Sequence, residues 1–160
     1  MKAAGIAAIK EELKNLTARE VSELCLRLAR YKKDNKELLA YLLFDAQDTD
    51  AYTRLIKEDM DEAFKEVHTS NLHLAKKTLR KILRKINKYV SFTLSKQTEI
   101  ELRLYFCKGL QASGIAFRKN KALVNMYAQQ IKKIKAALTG LHEDIQYDYI
   151  KPLEQVQENF

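Results

Sequence analysis

The chain has 160 residues, of which 46% are hydrophobic and 31% charged, and it contains only four Gly and one Pro. A chain of this length can bury roughly 70% of its unfolded surface, so it needs neither a metal nor a disulfide to hold a core. So few turn residues argue against a sandwich or a barrel. We therefore predict an all-α protein that forms a single domain over residues 1–160.

The net charge of +8 is unevenly distributed along the chain. Residues 1–71 hold 12 Lys and Arg against 14 Asp and Glu, a net charge of −2. Residues 72–135 hold 16 against 2, a net charge of +14, and residues 136–160 hold 1 against 5, a net charge of −4. The field of the central segment favours anionic partners and speeds their arrival, although it does not bear on the fold.

No targeting or membrane segment is evident. The short apolar run near the N-terminus is followed at once by Glu11 and Glu12, which does not match a signal peptide. No stretch approaches the length of about 18 uncharged apolar residues that a spanning helix needs. We therefore predict no membrane span and, by default, a cytoplasmic protein.

Three helices are predicted in the first third of the chain, and the first of them covers 3–14. Thr17 and Glu20 have the spacing of a capping box, in which the hydroxyl and the carboxylate each satisfy a free amide at a helix start. They open a second helix that ends near Lys33, and a third helix at about 35–46 follows so closely that the two should be antiparallel neighbours. The third helix should be central, and the residues predicted to face inward on the two helices are Val21, Leu24, Cys25, Leu28, Tyr31, Leu38, Leu39, Tyr41, Leu42, Leu43, Phe44 and Ala46.

A fourth helix, at about 50–68, has one apolar and one acidic face. The apolar face is formed by side chains at helical spacing, and the opposite face carries several carboxylates. The inward set is Tyr52, Ile56, Met60, Ala63, Phe64 and Val67, and the outward set is Glu58, Asp59, Asp61, Glu62 and Glu66.

The fifth helix, at 72–90, has the sharpest two-sided pattern, and Ser70 or Asn71 should cap it. Its apolar residues fall within about 60° of one line at 100° per residue. The opposite side holds four cations spaced i, i+4, i+7 and i+11, with further cations beside them. The row is Lys77, Lys81, Arg84 and Lys88, and the flanking residues include Lys76, Arg80 and Lys85.

Three more helices are predicted at about 96–112, 117–138 and 141–158, after a frayed helix end and loop. The sixth helix is apolar around most of its circumference and should be the most buried. Gly109 within it costs roughly 1 kcal/mol relative to Ala, which indicates that a neighbouring helix approaches closely there. Pro152 should kink or split the eighth helix.

No catalytic or metal-binding motif is present. The sequence lacks G-x-G-x-x-G, P-loop, G-x-S-x-G and CxxC motifs, and its three histidines do not have zinc-site spacing. We predict no catalytic residue, no metal site and no cofactor, although catalytic groups could still converge from distant positions. Cys25 and Cys107 each lie in an apolar helical pattern and are expected to be buried free thiols, with a disulfide or a reactive thiol as alternatives.

The basic face of 72–90 allows three interpretations. It could be a solvated face that is neutralised by the acidic fourth helix. It could also bind nucleic acid or another polyanion through Lys77, Lys81, Arg84, Lys88, Arg80 and Lys85, or it could bind an acidic protein. No aromatic residues are interleaved with these cations, so the face offers no stacking platform for bases.

The expected architecture has seven or eight helices in successive antiparallel hairpins, arranged as a small α/α superhelix, with a closed helical bundle as the alternative. The segment Leu-Thr-Ala-Arg-Glu-Val-Ser-Glu-Leu at 16–24, the hairpin at 20–46 and its weak echo at 74–111 resemble HEAT- and ARM-type helical repeats. The chain is also similar to all-helical bacterial proteins of unknown function. The repeat resemblance implies a binding scaffold.

The leading functional hypothesis is therefore a helical scaffold that recognises an acidic or apolar protein partner. The alternative is a module that binds nucleic acid or another polyanion through 72–90, and an enzyme is a remote third. A scaffold should have an exposed apolar groove or patch. The pattern does not fix the oligomeric state.

Overall fold

The computed structural model describes residues 3–158, which contain eight α-helices and no β-strand. The all-α prediction is confirmed, whereas the superhelix, like the closed bundle, stays a prediction. A π-helical turn, Tyr41–Asp45, follows α3, and a 3-10 turn, Phe117–Lys119, precedes α7. The helices are α1 (Ile6–Lys14), α2 (Ala18–Tyr31), α3 (Lys33–Ala40), α4 (Thr49–Lys65), α5 (Leu72–Thr93), α6 (Lys96–Ala112), α7 (Lys121–Leu138) and α8 (Glu143–Glu158).

The chain divides into two compact units, an N-terminal unit, Met1–Asp45, and a C-terminal unit, Ala46–Phe160. The single domain that the sequence predicts over 1–160 stays a prediction, because compactness alone does not say whether the units fold independently. No helix in residues 3–158 is both long enough and apolar enough to cross a membrane.

The N-terminal unit begins its helical hairpin with the predicted capping box. Thr17 Oγ1 accepts a hydrogen bond from the Glu20 amide at 3.3 Å, and Glu20 Oε2 accepts one from the Thr17 amide at 2.8 Å. Only Lys32 separates α2 from α3, and Asn35 Nδ2 donates to the Leu28 carbonyl at 2.9 Å. This bond holds the start of α3 against the end of α2.

The prediction that α2 and α3 bury their apolar faces is wrong. Leu28 is 60% exposed, Phe44 is 79% exposed, and within 3–45 only Tyr41 is buried. A two-helix hairpin has too few residues to enclose two wide apolar stripes. The π-helical turn also adds a residue to the helical repeat, so the side chains after Ala40 leave the face that the α-helical period assigns them.

The C-terminal unit is organised around α6, which contacts α4, α5, α7 and α8. The prediction that α6 is the most buried helix is confirmed, because eight of its side chains are buried. Six of them belong to the hydrophobic core, namely Ile100, Leu102, Leu104, Phe106, Cys107 and Leu110.

The four surrounding helices turn the predicted apolar faces toward α6. The structure confirms these faces at their centres, whereas several helix ends differ from prediction. The helix α5 continues to Thr93, three residues past the predicted end at Val90, and the loop predicted there is confined to Leu94 and Ser95. Asn120 caps α7 later than predicted, and Pro152 lies inside α8 without splitting it. The buried residues at the centres of these faces include Ile56, Met60, Ala75, Leu79, Ile82, Ile86, Leu123, Tyr127, Ile131, Ile134, Tyr149, Leu153 and Val156.

Both cysteines are free thiols, but only one lies in the core. Cys107 is buried, and desolvation raises the pKa of its thiol to about 12. Cys25 is half-buried, so the prediction of two buried thiols holds for Cys107 alone.

Gly109 is the position where α4 approaches α6 most tightly. A Cβ there would lie 2.5 Å from Phe64 Cε2, and the Phe64 ring packs on Phe106 with a centroid distance of 5.8 Å. The predicted reason for this glycine, close approach of a neighbouring helix, is confirmed.

We expect Gly109→Val to lower the free energy of unfolding by about 2 kcal/mol. Overpacking at a close helix contact destabilises the fold by more than the removal of a glycine from the helix stabilises it. Urea unfolding measures the effect. Phe64→Ala removes the ring that the new side chain meets, so the double variant should lose less than the sum of the two single losses. Additive losses would show that the contact with Phe64 is not the cause.

Candidate functional site

The fifth helix holds its two faces in fixed directions. Asn71 Oδ1 caps it by accepting from the amides of His73 at 3.0 Å and Leu74 at 3.1 Å. Its 22 residues include seven Lys and Arg and no Asp or Glu. Four apolar residues on its inner side are almost completely buried, so the helix cannot rotate about its axis without exposing them. These anchors are Ala75, Leu79, Ile82 and Ile86.

The predicted cation row lies on the solvent side of α5. Lys77, Lys81 and Arg84 are exposed, as the helical spacing predicts. Lys88 is half-buried, and its Nζ lies 5.7 Å from the centroid of the Tyr89 ring. We call the exposed row, Lys77, Lys81 and Arg84, together with Lys76 and Arg80, the cationic face.

The acidic helix α4 neutralises little of α5. Asp59 Oδ2 lies 3.3 Å from Lys85 Nζ and forms an ion pair between the two helices. Two further carboxylates of α4 are engaged away from α5, since Glu62 pairs with Lys65 at 2.6 Å and Asp61 accepts from the Tyr105 hydroxyl at 2.8 Å. Lys77, Lys81 and Arg84 therefore form no ion pair with any residue in 3–158.

A groove of about 500 Å³ runs beside the row and is open to solvent. Its lining comes from α5 alone and is mostly cationic, with one apolar side chain at its base. The lining residues are His73, Lys76, Lys77, Arg80, Leu83, Arg84 and Asn87. Three of the six predicted site residues, Lys77, Arg80 and Arg84, therefore line the groove, and Lys85 lies on the side of α4.

A buried arginine on α6 fixes the end of this groove. Arg103 is 3% exposed, and its guanidinium reaches one residue on each of three helices. It donates to Glu99 Oε1 at 2.8 Å on α6, to Gln130 Oε1 at 2.7 Å on α7 and to Asn87 Oδ1 at 3.0 Å on α5. Because Asn87 also lines the groove, this network holds the groove-bearing turn of α5 against the core.

The network also affects a cation on α7. Desolvation lowers the pKa of Lys133, and the Arg103 charge lowers it further, while Glu99 acts in the opposite direction. Lys133 therefore lies within electrostatic reach of the Arg103 network.

Sequence reasoning missed the Arg103 network, although one signal was visible. Arg103 lies in the middle of a largely apolar helix and has Glu99 one turn before it. Buried charges are paired and hydrogen-bonded in folded proteins, so this pattern indicates a buried ion pair. The partners of Arg103 on α5 and α7 are distant in the sequence, so the spacing of neighbouring residues does not predict them.

The other perturbed groups in the core support packing. The Tyr127 hydroxyl donates to the Val156 carbonyl at 2.6 Å and accepts from Gln111 Nε2 at 2.6 Å, and desolvation raises its pKa. Desolvation likewise raises the pKa of Tyr149 to about 12 and keeps the Cys107 thiol protonated. None of these three groups is an activated nucleophile or a general base near neutral pH.

Comparison with protein-family models, with curated proteins and with solved structures found no match for this chain.

We expect Arg103→Met to lower the free energy of unfolding by about 3–5 kcal/mol, because Glu99 would be left without its buried partner. Urea unfolding followed by circular dichroism measures the loss. Lys108→Met, at an exposed position on the same helix, should change stability by less than about 0.5 kcal/mol.

A second substitution tests the cause of that loss. Glu99→Gln removes the orphaned charge, so the double variant with Arg103→Met should recover part of the stability. No recovery would indicate that Arg103 stabilises the fold by filling space, and the ion pair would then not be the main contribution.

Proposed function

We propose that this protein is a helical binding module that holds a polyanion, most favourably a nucleic-acid duplex, on the cationic face of α5. The observation that carries the proposal is the unpaired row Lys77, Lys81 and Arg84 on a helix without carboxylates. A solvated face normally mixes charges of both signs, which lowers self-repulsion. Here the adjacent acidic helix pairs with Lys85 and leaves the row open to a partner.

The length of the row suits a phosphate backbone. At 1.5 Å per residue, the distance along the helix from Lys77 to Arg84 is roughly 10 Å. One strand of a duplex advances about 3.4 Å per phosphate, so the row spans the rise of about three phosphates. Lys76 and Arg80 form a second line of cations beside it, within reach of the same backbone.

The absence of stacking residues favours backbone contact over base reading. Tyr89, whose ring centroid lies 5.7 Å from Lys88 Nζ, packs on Tyr52 and Phe92 with centroid distances of 5.9 Å and 6.3 Å, so it is held toward the core. Single-strand binders use exposed aromatic rings as stacking platforms. The proposed interaction is therefore with duplex phosphates and is independent of base sequence.

An acidic protein is the second partner that would use the same cations. The resemblance of 16–46 to HEAT and ARM repeats supports a scaffold of this kind, as does the excess of positive charge in 72–135. An acidic polypeptide and a duplex differ in how densely and regularly they carry charge, so one titration with both ligands distinguishes them.

We expect the protein to bind a fluorescein-labelled DNA duplex with an affinity that falls steeply with salt, with a log–log slope of about −3 to −4. Replacing Lys77, Lys81 and Arg84 with Gln should reduce that slope by about 3, because each lost phosphate contact removes about one unit. Fluorescence anisotropy at several salt concentrations measures both slopes.

The matched control replaces Lys10, Lys32 and Lys36 with Gln, which removes the same charge from exposed positions in the N-terminal unit. This control should keep the slope of the parent protein. Equal slopes in the two triple variants, or no binding at low salt, would contradict the proposal. Equal or tighter binding of polyglutamate would identify an acidic protein as the partner.

A further inference from the structure

The N-terminal unit exposes a continuous apolar stripe on α2. Leu24, Leu28 and Tyr31 are 40%, 60% and 76% exposed and fall within about 60° of one line along the helix. Cys25 and Ala29, which are half-buried, lie farther round the helix. Cys25 and Ala29 line an apolar groove with residues of α3, and Leu28 of the stripe forms part of the same lining, so the stripe borders that groove.

This unit has no core of its own. Within residues 3–45 Tyr41 alone is buried, while large apolar side chains on α1, on α2 and on the π-helical turn are exposed. Contiguous exposed apolar surface on a soluble chain marks an interaction site. The exposed residues are Ile6, Ile9, Leu13, Leu24, Leu26, Leu28, Tyr31, Leu42, Leu43 and Phe44.

The charges that border the stripe follow a fixed order. Glu20 and Glu23 precede the centre of α2, and Arg27 and Arg30 follow it. At 100° per residue all four fall on one edge of the stripe. That edge is acidic at its N-terminal end and basic at its C-terminal end, and the midpoint between the two ends lies at the level of residue 25 along the helix axis.

Such an edge is complementary to itself when two copies of α2 run antiparallel. A two-fold axis perpendicular to both helices places the same edge of each copy side by side in reversed order. The register that brings Glu23 opposite the partner's Arg27 also brings Glu20 opposite the partner's Arg30, because both pairs are centred on residue 25. A parallel two-fold pair would instead place this edge of each copy on opposite sides of the interface, so the four charges would not meet.

We propose that a second copy of this chain covers the stripe, with the two α2 helices antiparallel and related by a two-fold axis. Leu24, Leu28 and Tyr31 of each copy form the apolar centre, and the four charged residues form one polar border. A foreign helix of a single charge sign would complement only half of that border. In the single chain Glu23 pairs with Arg19 at 3.2 Å, an exposed contact that the dimer can exchange for Arg27.

The first test is the mass of the full chain in solution. Sedimentation equilibrium should give twice the chain mass of 18.6 kDa. Leu24→Glu with Leu28→Glu should give a monomer, whereas Leu26→Glu, at an exposed leucine on the opposite side of α2, should remain a dimer. Circular dichroism checks that all variants keep their helical content. A parent chain that is monomeric at every soluble concentration would overturn the proposal.

The second test examines the antiparallel register. Glu23→Arg and Arg27→Glu should each weaken the homodimer, because each places like charges across the border. An equimolar mixture of the two variants should form a heterodimer, since both contacts then become attractive. The double variant E23R/R27E should dimerise like the parent chain.

A dimer whose stability is unchanged by both Glu23→Arg and Arg27→Glu would overturn this register. Loss of dimerisation by both Leu26→Glu and the Leu24, Leu28 pair would show that the stripe is not the specific contact. Neither result tests the proposal of nucleic-acid binding, which depends on the cations of α5.

Discussion

The hydrogen bonds of Arg103 are the constraint on which the C-terminal unit depends most. A guanidinium buried in the core is stable only when its donors are satisfied, and three helices each supply an oxygen acceptor. The apolar side chains of α6 provide most of the driving force for packing, which is not directional. Arg103 makes this packing directional, because its planar guanidinium group fits one arrangement of Glu99, Asn87 and Gln130. The rotation of α5, and with it the direction of the cationic face, follows from this arrangement.

The cationic face of α5 and the apolar stripe on α2 differ in the interaction that a partner would make with them. The cationic face gathers like charges on one rigid helix, and their mutual repulsion is relieved when a polyanion approaches. The stripe on α2 leaves apolar area in water, which a second copy would cover. If both proposals hold, a dimer carries two cationic faces, and binding to one long polyanion becomes tighter through avidity. The cations would then attract the polyanion, and dimerisation would increase the strength of binding.

Helical periodicity was sufficient to predict the C-terminal unit. The faces of α4 to α8 follow from the spacing of apolar residues, and Thr17 with Glu20 marked a helix start correctly. Periodicity failed for α2 and α3 because it identifies an apolar face without showing what covers it. Arg103 was missed because its partners Asn87 and Gln130 lie 16 and 27 positions away, where local spacing carries no information. The direction of the cationic row was predictable, but its lack of ion pairs with α4 was not.

The central claim is that the outward side of α5 is a contact surface for a polyanion. Nuclear magnetic resonance of the isotope-labelled protein, titrated with a short DNA duplex at low salt, tests it residue by residue. The largest shift changes should fall on the side-chain signals of Lys77, Lys81 and Arg84, with smaller changes at Lys76 and Arg80. Changes that are spread over all exposed lysines, or that are concentrated on α7 and leave these five residues unaffected, would contradict the account.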